Sequence, residues 1–271
     1  MASPYWMKTL INRTFSQRFF MSRLSHFPII GKLIDKALFE DDDILYLPQD
    51  KAITINRSLQ QPDDLAIPSL VLEHFIHEAN YHWIMNFCIC RDSSACKDYP
   101  VELGCLFLGE AAMGINPEFG RPVSREEALD HAARCREAGL VHLIGRNKLD
   151  TVWLNVGPGK KLLTVCNCCP CCCLWRVLPV ITPRIARKVT RLPGLRVQVT
   201  ERCVGCGTCN RGICFVDAIH LEGNRAVISD DCRGCGRCVT VCPTGAIEIH
   251  IDSPKLFDRA IERISAAVDV H

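Results

Sequence analysis

Cys203-Val-Gly-Cys206-Gly-Thr-Cys209-Asn-Arg-Gly-Ile-Cys214 and Cys232-Arg-Gly-Cys235-Gly-Arg-Cys238-Val-Thr-Val-Cys242-Pro243 are the two stretches that decide how this chain is read. In each, three cysteines stand two residues apart. A fourth follows after four residues in the first run and after three in the second. Three thiolates at this interval wrap three corners of a [4Fe-4S] cube, and the fourth cysteine of each run serves the other cube. One set is therefore Cys203, Cys206, Cys209 and Cys242; the other is Cys232, Cys235, Cys238 and Cys214. Gly205, Gly207, Gly234 and Gly236 let the backbone approach an inorganic core, where freed N–H groups can donate to anionic sulfur. A zinc site built from C-x2-C pairs is the competing reading, but zinc has no use for a third cysteine at the same interval, twice.

The two runs also form an internal repeat. CVGCGTC…CFVDAI aligns with CRGCGRC…CPTGAI at an offset of 29 residues, which slips to 28 after one inserted residue. Alternation predicts short strands at Arg196–Val199, Ile219–Glu222, Ala226–Ile228 and Ile247–Ile251. On these motifs residues 194–252 resemble the two-cluster bacterial ferredoxin family, which implies a pseudo-twofold α+β fold. There are two departures: the longer spacing before Cys214, and Phe215 where the family has proline.

The remaining composition bounds the rest. The chain has 271 residues, 48% hydrophobic and 23% charged, a globular profile with room for two domains. Nineteen cysteines, an odd number in cluster spacings, fit metal ligation in a reducing cytoplasm better than a disulfide framework. The start MASPYWMKTL lacks a secretory pattern, and no apolar run is long enough to span a bilayer. Charge is uneven behind a net +2. Residues 1–39 hold six Lys/Arg against Asp35, and 160–193 hold seven with no acid, around the acidic run Glu40 to Asp43. Nucleic acid is one reading of such cations, but countercharge for anionic thiolate clusters suits the cysteines better.

Eleven cysteines lie upstream of the repeat. Cys135, on an expected helix, reads as a small buried hydrophobe. Cys88, Cys90, Cys96 and Cys105 form one group; Cys166, Cys168, Cys169, Cys171, Cys172 and Cys173 put six thiols in eight residues. Successive side chains point apart, so one ion cannot take the whole run. A subset is expected to join the first group around one or two further iron–sulfur clusters, with a non-cubane centre also open. The order CICR, then GRPVSREEALDHAARCREAGLVH, then VCNCCPCCC resembles, over about residues 65–250, a group of larger anaerobe 4Fe-4S proteins. In that group a helical cysteine-bearing domain precedes a two-cluster ferredoxin module. The resemblance implies a redox role without naming a substrate.

The connecting segments are expected as follows. A helix over Ser69–Asn86 delivers Cys88 and Cys90; its Glu73, His74, His77 and Glu78 read as a polar face rather than a metal site. Ser124-Arg-Glu-Glu127 is a capping box opening a helix to Ala138, with Gly139 as its stop. Strands at Val141–Ile144, Thr151–Val156 and Leu162–Val165, the last two joined at Gly157-Pro-Gly159, would complete a winged-helix outline. Met7, Leu10, Ile11, Phe15 and Phe19 make an apolar helical stripe.

The fold class expected is α+β: a mostly helical cysteine-rich N-terminal domain with a small β-hairpin element, followed by the ferredoxin-like domain. The boundaries are a basic amphipathic extension at 1–64, the cysteine-rich domain at 65–173, a basic linker at 174–193, the 2[4Fe-4S] domain at 194–252 and a helix at 253–271. The leading function is single-electron transfer to a redox partner protein or complex, in the cytoplasm, with peripheral membrane contact through residues 1–39 as a candidate. A redox enzyme with an unusual N-terminal cluster, and a cluster-dependent DNA-binding regulator, are the alternatives.

Overall fold

The computed structural model describes residues 2–53, 68–253 and 255–271. Three helices open the chain, α1 (Trp6–Thr14), α2 (Arg18–Leu24) and α3 (Pro28–Leu38), followed by strand β1 (Asp43–Tyr46). Then come α4 (Ser69–Glu78), β2 (His82–Met85), α5 (Ile89–Ser93), β3 (Leu106–Leu108), β4 (Gly120–Pro122), α6 (Arg125–Glu137), β5 (Val141–Arg146), α7 (Lys148–Leu154) and β6 (Leu163–Cys168). Short α8 (Pro183–Ala186) and β7 (Val189–Arg191) lead into β8 (Leu195–Val199), β9 (Ile219–Glu222), β10 (Arg225–Ile228), α9 (Arg237–Val241), β11 (Ile247–Ile251) and α10 (Leu256–Ala267).

The upstream region is not mostly helical. Its centre is a seven-stranded sheet in the order β4-β2-β3-β6-β5-β1-β7, antiparallel except for the β1–β7 pair. The sheet is buried on both faces, which breaks the simple apolar–polar alternation by which a strand is recognised. On one face Leu45, Leu108, Ile144 and Val165 pack with Val71 and Phe75 of α4, Ala128 and Ala132 of α6 and Ile264 of α10. That core continues without a break into Ile219, Ala226, Val239 and Ile247 of the C-terminal half. On the other face lie Ile44, Tyr46, Leu143 and Cys168, against Trp175, Val177 and Ile185.

Three expectations are corrected here. The helix from Ser69 stops at Glu78, where Ala79 turns extended, and His82–Met85 is drawn into the sheet between β3 and β4. Sheet pairing thus overrides a run that could continue as helix. Residues 151–154 belong to α7 rather than a strand, because Asp150 and Leu154 are the buried positions of a helical turn that left-handed Asn155 ends. With no second hairpin strand, the small β-hairpin and the winged-helix outline both disappear. The expected linker 174–193 carries β7, whose Val189–Arg191 pairs in parallel with Ile44–Tyr46.

Other elements follow the sequence closely. Helix α6 has its full capping box, with Ser124 Oγ accepting from the Glu127 N–H and the Glu127 carboxylate accepting from the Ser124 N–H. Glu126 and Glu127 sit in its first turn and Arg134 and Arg136 in its last, both favourable to the helix dipole. In the C-terminal half β8 pairs with β11 and β9 with β10, both antiparallel.

Candidate metal centres

The repeat places its loops in matching positions. Gly207 and Gly236 both take left-handed backbone (φ 73° and 78°), opening a short 3-10 turn at Thr208–Asn210 and α9 respectively. Gly205 is also left-handed, and a Cβ there would stand 2.4 Å from the Asn224 carbonyl oxygen, so no larger residue fits without moving backbone.

Cys203, Cys206, Cys209 and Cys242 surround one small cavity; Cys214, Cys232, Cys235 and Cys238 surround another. Each foursome draws its fourth cysteine from the other run, although Cys214 follows the longer spacing. Backbone N–H groups point at the sulfurs: Ala226 to Cys203 (3.4 Å), Gly234 to Cys232 (3.4 Å), Ala218 to Cys214 (3.3 Å) and Ala246 to Cys242 (3.2 Å). The last two are the same contact in the two repeats, each made four residues after the cysteine. Burial pushes the Cys235 thiol up to about 12 and raises Cys232 and Cys238 as well. Thiols held in so dry a place ionise when a metal replaces the proton. The donor set, its spacing and the N–H cradle fit a [4Fe-4S] core in each cavity.

The upstream cysteines separate into two groups. Cys88, Cys90, Cys105, Cys166, Cys168 and Cys173 line an apolar cavity of about 180 Å³ between the sheet, α1 and α7. Strand β6 supplies Cys166 and Cys168, which share a face because strand side chains repeat every second residue. The β3–β6 register sets Leu106 against Val165, so the preceding Cys105 lies beside Cys166. Cys88 and Cys90 arrive from the end of β2, held by the bond from the Cys88 N–H to the Val101 carbonyl (2.7 Å). Cys173 folds back to within 3.1 Å of Cys168, sulfur to sulfur. Hydrogen bonds from Cys105 and Cys168 hold the Cys166 thiol well below its ordinary range.

The second group is Cys96, Cys169, Cys171 and Cys172, whose four sulfurs all lie within 4.8 Å of one another. Cys169 also touches the first cavity and so stands between the groups. Cys135 joins neither set; it is fully buried in the small core with Leu103 and Leu140. Among the described residues no His or Glu of α4 joins a metal-holding group. Glu73 instead pairs with Arg136 at 3.2 Å.

Three residues of this region escaped sequence reasoning. Arg91 is 0% exposed, donating to the Asn167 carbonyl (2.7 Å) and the Leu103 carbonyl, with its Nε unpaired. Among the described residues no carboxylate lies within ion-pair reach of it. Burial alone would lower its pKa, yet the neighbouring thiols Cys88, Cys169, Cys168 and Cys105 in ionised form outweigh that and raise it. Arg91 therefore stands where it can offset negative charge that develops on those thiols. Asp150, buried, accepts from Asn147, Trp153 and Thr164, and burial lifts its carboxyl to about 7. Tyr46 is fully buried, its hydroxyl without a partner and its ionisation suppressed by burial and by Cys173, Cys168 and Cys235 around it. The only sequence cue was for Arg91, an arginine directly after C-x-C.

Residues 226–248, which contain Cys232, Cys235, Cys238 and Cys242, match the family model of the 4Fe-4S binding domain. No curated protein and no solved structure matches the chain. No helix among the described residues is long and apolar enough to cross a membrane. The chain is thus an iron–sulfur protein with at least one [4Fe-4S] centre in its C-terminal half.

Proposed function

We propose that this protein is an electron-transfer protein, or the electron-transfer subunit of a larger complex. In this reading Cys203, Cys206, Cys209 and Cys242 hold one [4Fe-4S] cluster, and Cys214, Cys232, Cys235 and Cys238 hold a second, in a pseudo-twofold ferredoxin-like layout. The six-cysteine cavity upstream holds a further iron–sulfur centre. Such clusters supply reversible one-electron uptake at potentials tuned by charge, hydrogen bonds and exclusion of water. The protein's own part is to provide buried thiolates, N–H donors and the Arg91 cation.

The observation that carries the proposal is one buried apolar cluster shared by two cysteine cavities. Tyr46 and Phe215 meet edge to face at 5.6 Å between ring centroids. Phe215 follows Cys214 directly, and Tyr46 faces Cys168 and Cys173 on one side and Cys235 on the other. Phe215, the residue that departs from the ferredoxin pattern, therefore forms the join between the halves. A packed connection between centres serves a relay, and a stand-alone two-cluster carrier has no need of it.

Anaerobic iron and sulfide quantitation with EPR during a redox titration tests this. More than about eight irons per chain, with at least three distinct signals, is expected. About eight irons and two signals would end the upstream reading. The enzyme reading keeps one specific support, since six thiols exceed the four that a cubane needs and the acid Asp150 stands beside them. A signal that changes on adding a substrate would favour it. A redox partner protein and membrane contact through residues 1–39 remain proposals, the latter resting on exposed Trp6, Leu10, Phe20, Ile29 and Leu33 among the six cations.

A further inference from the structure

The four sulfurs of Cys96, Cys169, Cys171 and Cys172 are too close together for a cubane. In a cube each thiolate binds a different iron and leans away from the centre, so neighbouring thiolate sulfurs stand roughly 6 Å apart. A single tetrahedral ion with metal–sulfur bonds of about 2.3 Å sets sulfur–sulfur edges of about 3.8 Å. Here Cys96 and Cys171 are 3.7 Å apart and Cys171 and Cys172 are 3.5 Å apart, with every pair inside 4.8 Å. We propose that these four cysteines form a closed tetrathiolate site for one thiophilic divalent ion, zinc or iron, separate from every iron–sulfur cluster of the protein.

Three further features agree. Pro170 bends the chain between Cys169 and Cys171, and the turn at residues 170–172 lets adjacent cysteines converge where a strand would send them apart. The Cys96 sulfur faces the backbone N–H groups of Asp98 and Tyr99, which can donate to it. Leu103, Leu140 and Tyr99 pack against the group, and four thiolates fill the coordination of a tetrahedral ion. The site ties the loop carrying Cys96 to the segment that follows β6. Its work is structural: it locks the Cys169 end of the run so that Cys168 and Cys173 face the larger cavity.

The test is metal analysis and X-ray absorption on the anaerobically purified full-length protein, alongside Cys96→Ser and Cys172→Ser. The expected result is one ion per chain with four sulfur neighbours near 2.3 Å and no metal–metal vector. Each variant should lose that one ion without loss of sulfide, while the EPR signals of the C-terminal half persist and report a folded chain. Zinc analysis, or the Mössbauer signature of an isolated iron, then tells which ion is held. Loss of iron together with sulfide in either variant would overturn the proposal. So would absence, in the unaltered protein, of any ion beyond cluster iron.

Discussion

The two halves of this molecule gather cysteines by opposite routes. In the C-terminal half, six of eight ligand candidates come from two short loops with left-handed glycines, and backbone N–H groups of the loops and of the segments beside them point at the sulfurs. In the upstream half, the candidate cysteines come from the end of β2, the start of β3, the face of β6 and the loop beyond it. They meet only because a seven-stranded sheet pairs those strands in one register. The cations differ in placement as well: Arg91 at the wall of the upstream cavity is fully buried, whereas Arg191, Arg233 and Arg237 beside the C-terminal thiols are not. A loop can carry such a site into many proteins; a sheet-built cavity belongs to its fold.

The sharpest way to break this comparison is Arg91→Met. If the guanidinium is the countercharge of the upstream thiolates, its loss leaves buried charge uncompensated, at a cost of about 3–5 kcal/mol. Upstream iron should be lost while the C-terminal EPR signals stay. Unchanged iron content would make Arg91 a packing residue. Gly205→Ala probes the other half: left-handed backbone and a clash with the Asn224 carbonyl predict a loss of about 1–3 kcal/mol. The signal of the Cys203 foursome should broaden or vanish, with upstream iron intact; an unaffected signal would show that the loop tolerates movement.

Tyr46→Phe tests the join. The ring contact with Phe215 survives and an unpartnered buried hydroxyl is removed, so stability should hold or rise by about 1 kcal/mol. Electron exchange between the halves, followed by freeze-quench EPR, should stay the same. A large slowing would give the hydroxyl, rather than the packing, the linking role.

The smallest effect concerns Asp42, outside both cysteine regions, whose carboxyl burial raises from 3.8 to about 7. The folded state binds this proton more tightly than the unfolded one. Its contribution is therefore complete below the unfolded value and declines as pH rises towards about 7. Asp42→Asn, which can still accept from the Lys148 N–H, should flatten that part of the stability curve in anaerobic thermal unfolding. An unchanged slope would assign the pH dependence to other groups.

Much of the C-terminal half was legible because its information is local. Spacing between cysteines sets which thiols can share a core, and glycines mark where the backbone must approach. Cys214 illustrates the strength of the pattern, since one extra residue did not keep it from its foursome. Upstream, the same reasoning singled out cysteines that the structure brings together, but expected helices where a sheet holds them. His82–Met85 was read as helix because a strand buried on nearly every position loses the alternation that identifies it, and 174–193 as linker because its three-residue edge strand is too short to show one. Asp150 and Tyr46 carried no pattern at all and Arg91 only its place after C-x-C, for a buried polar group is recognised by what surrounds it.

By itself, then, the sequence determined that the protein handles iron and sulfur, and how the eight cysteines of the repeat group into two foursomes, since both readings rest on the spacing of a repeated motif. The tertiary structure alone decided how ten upstream thiols divide into a six-cysteine cavity and a four-cysteine knot. It also decided that Tyr46 and Phe215 join the halves. Those outcomes depend on strand register and on which faces are buried, quantities set by contacts between residues as far apart as 46 and 215.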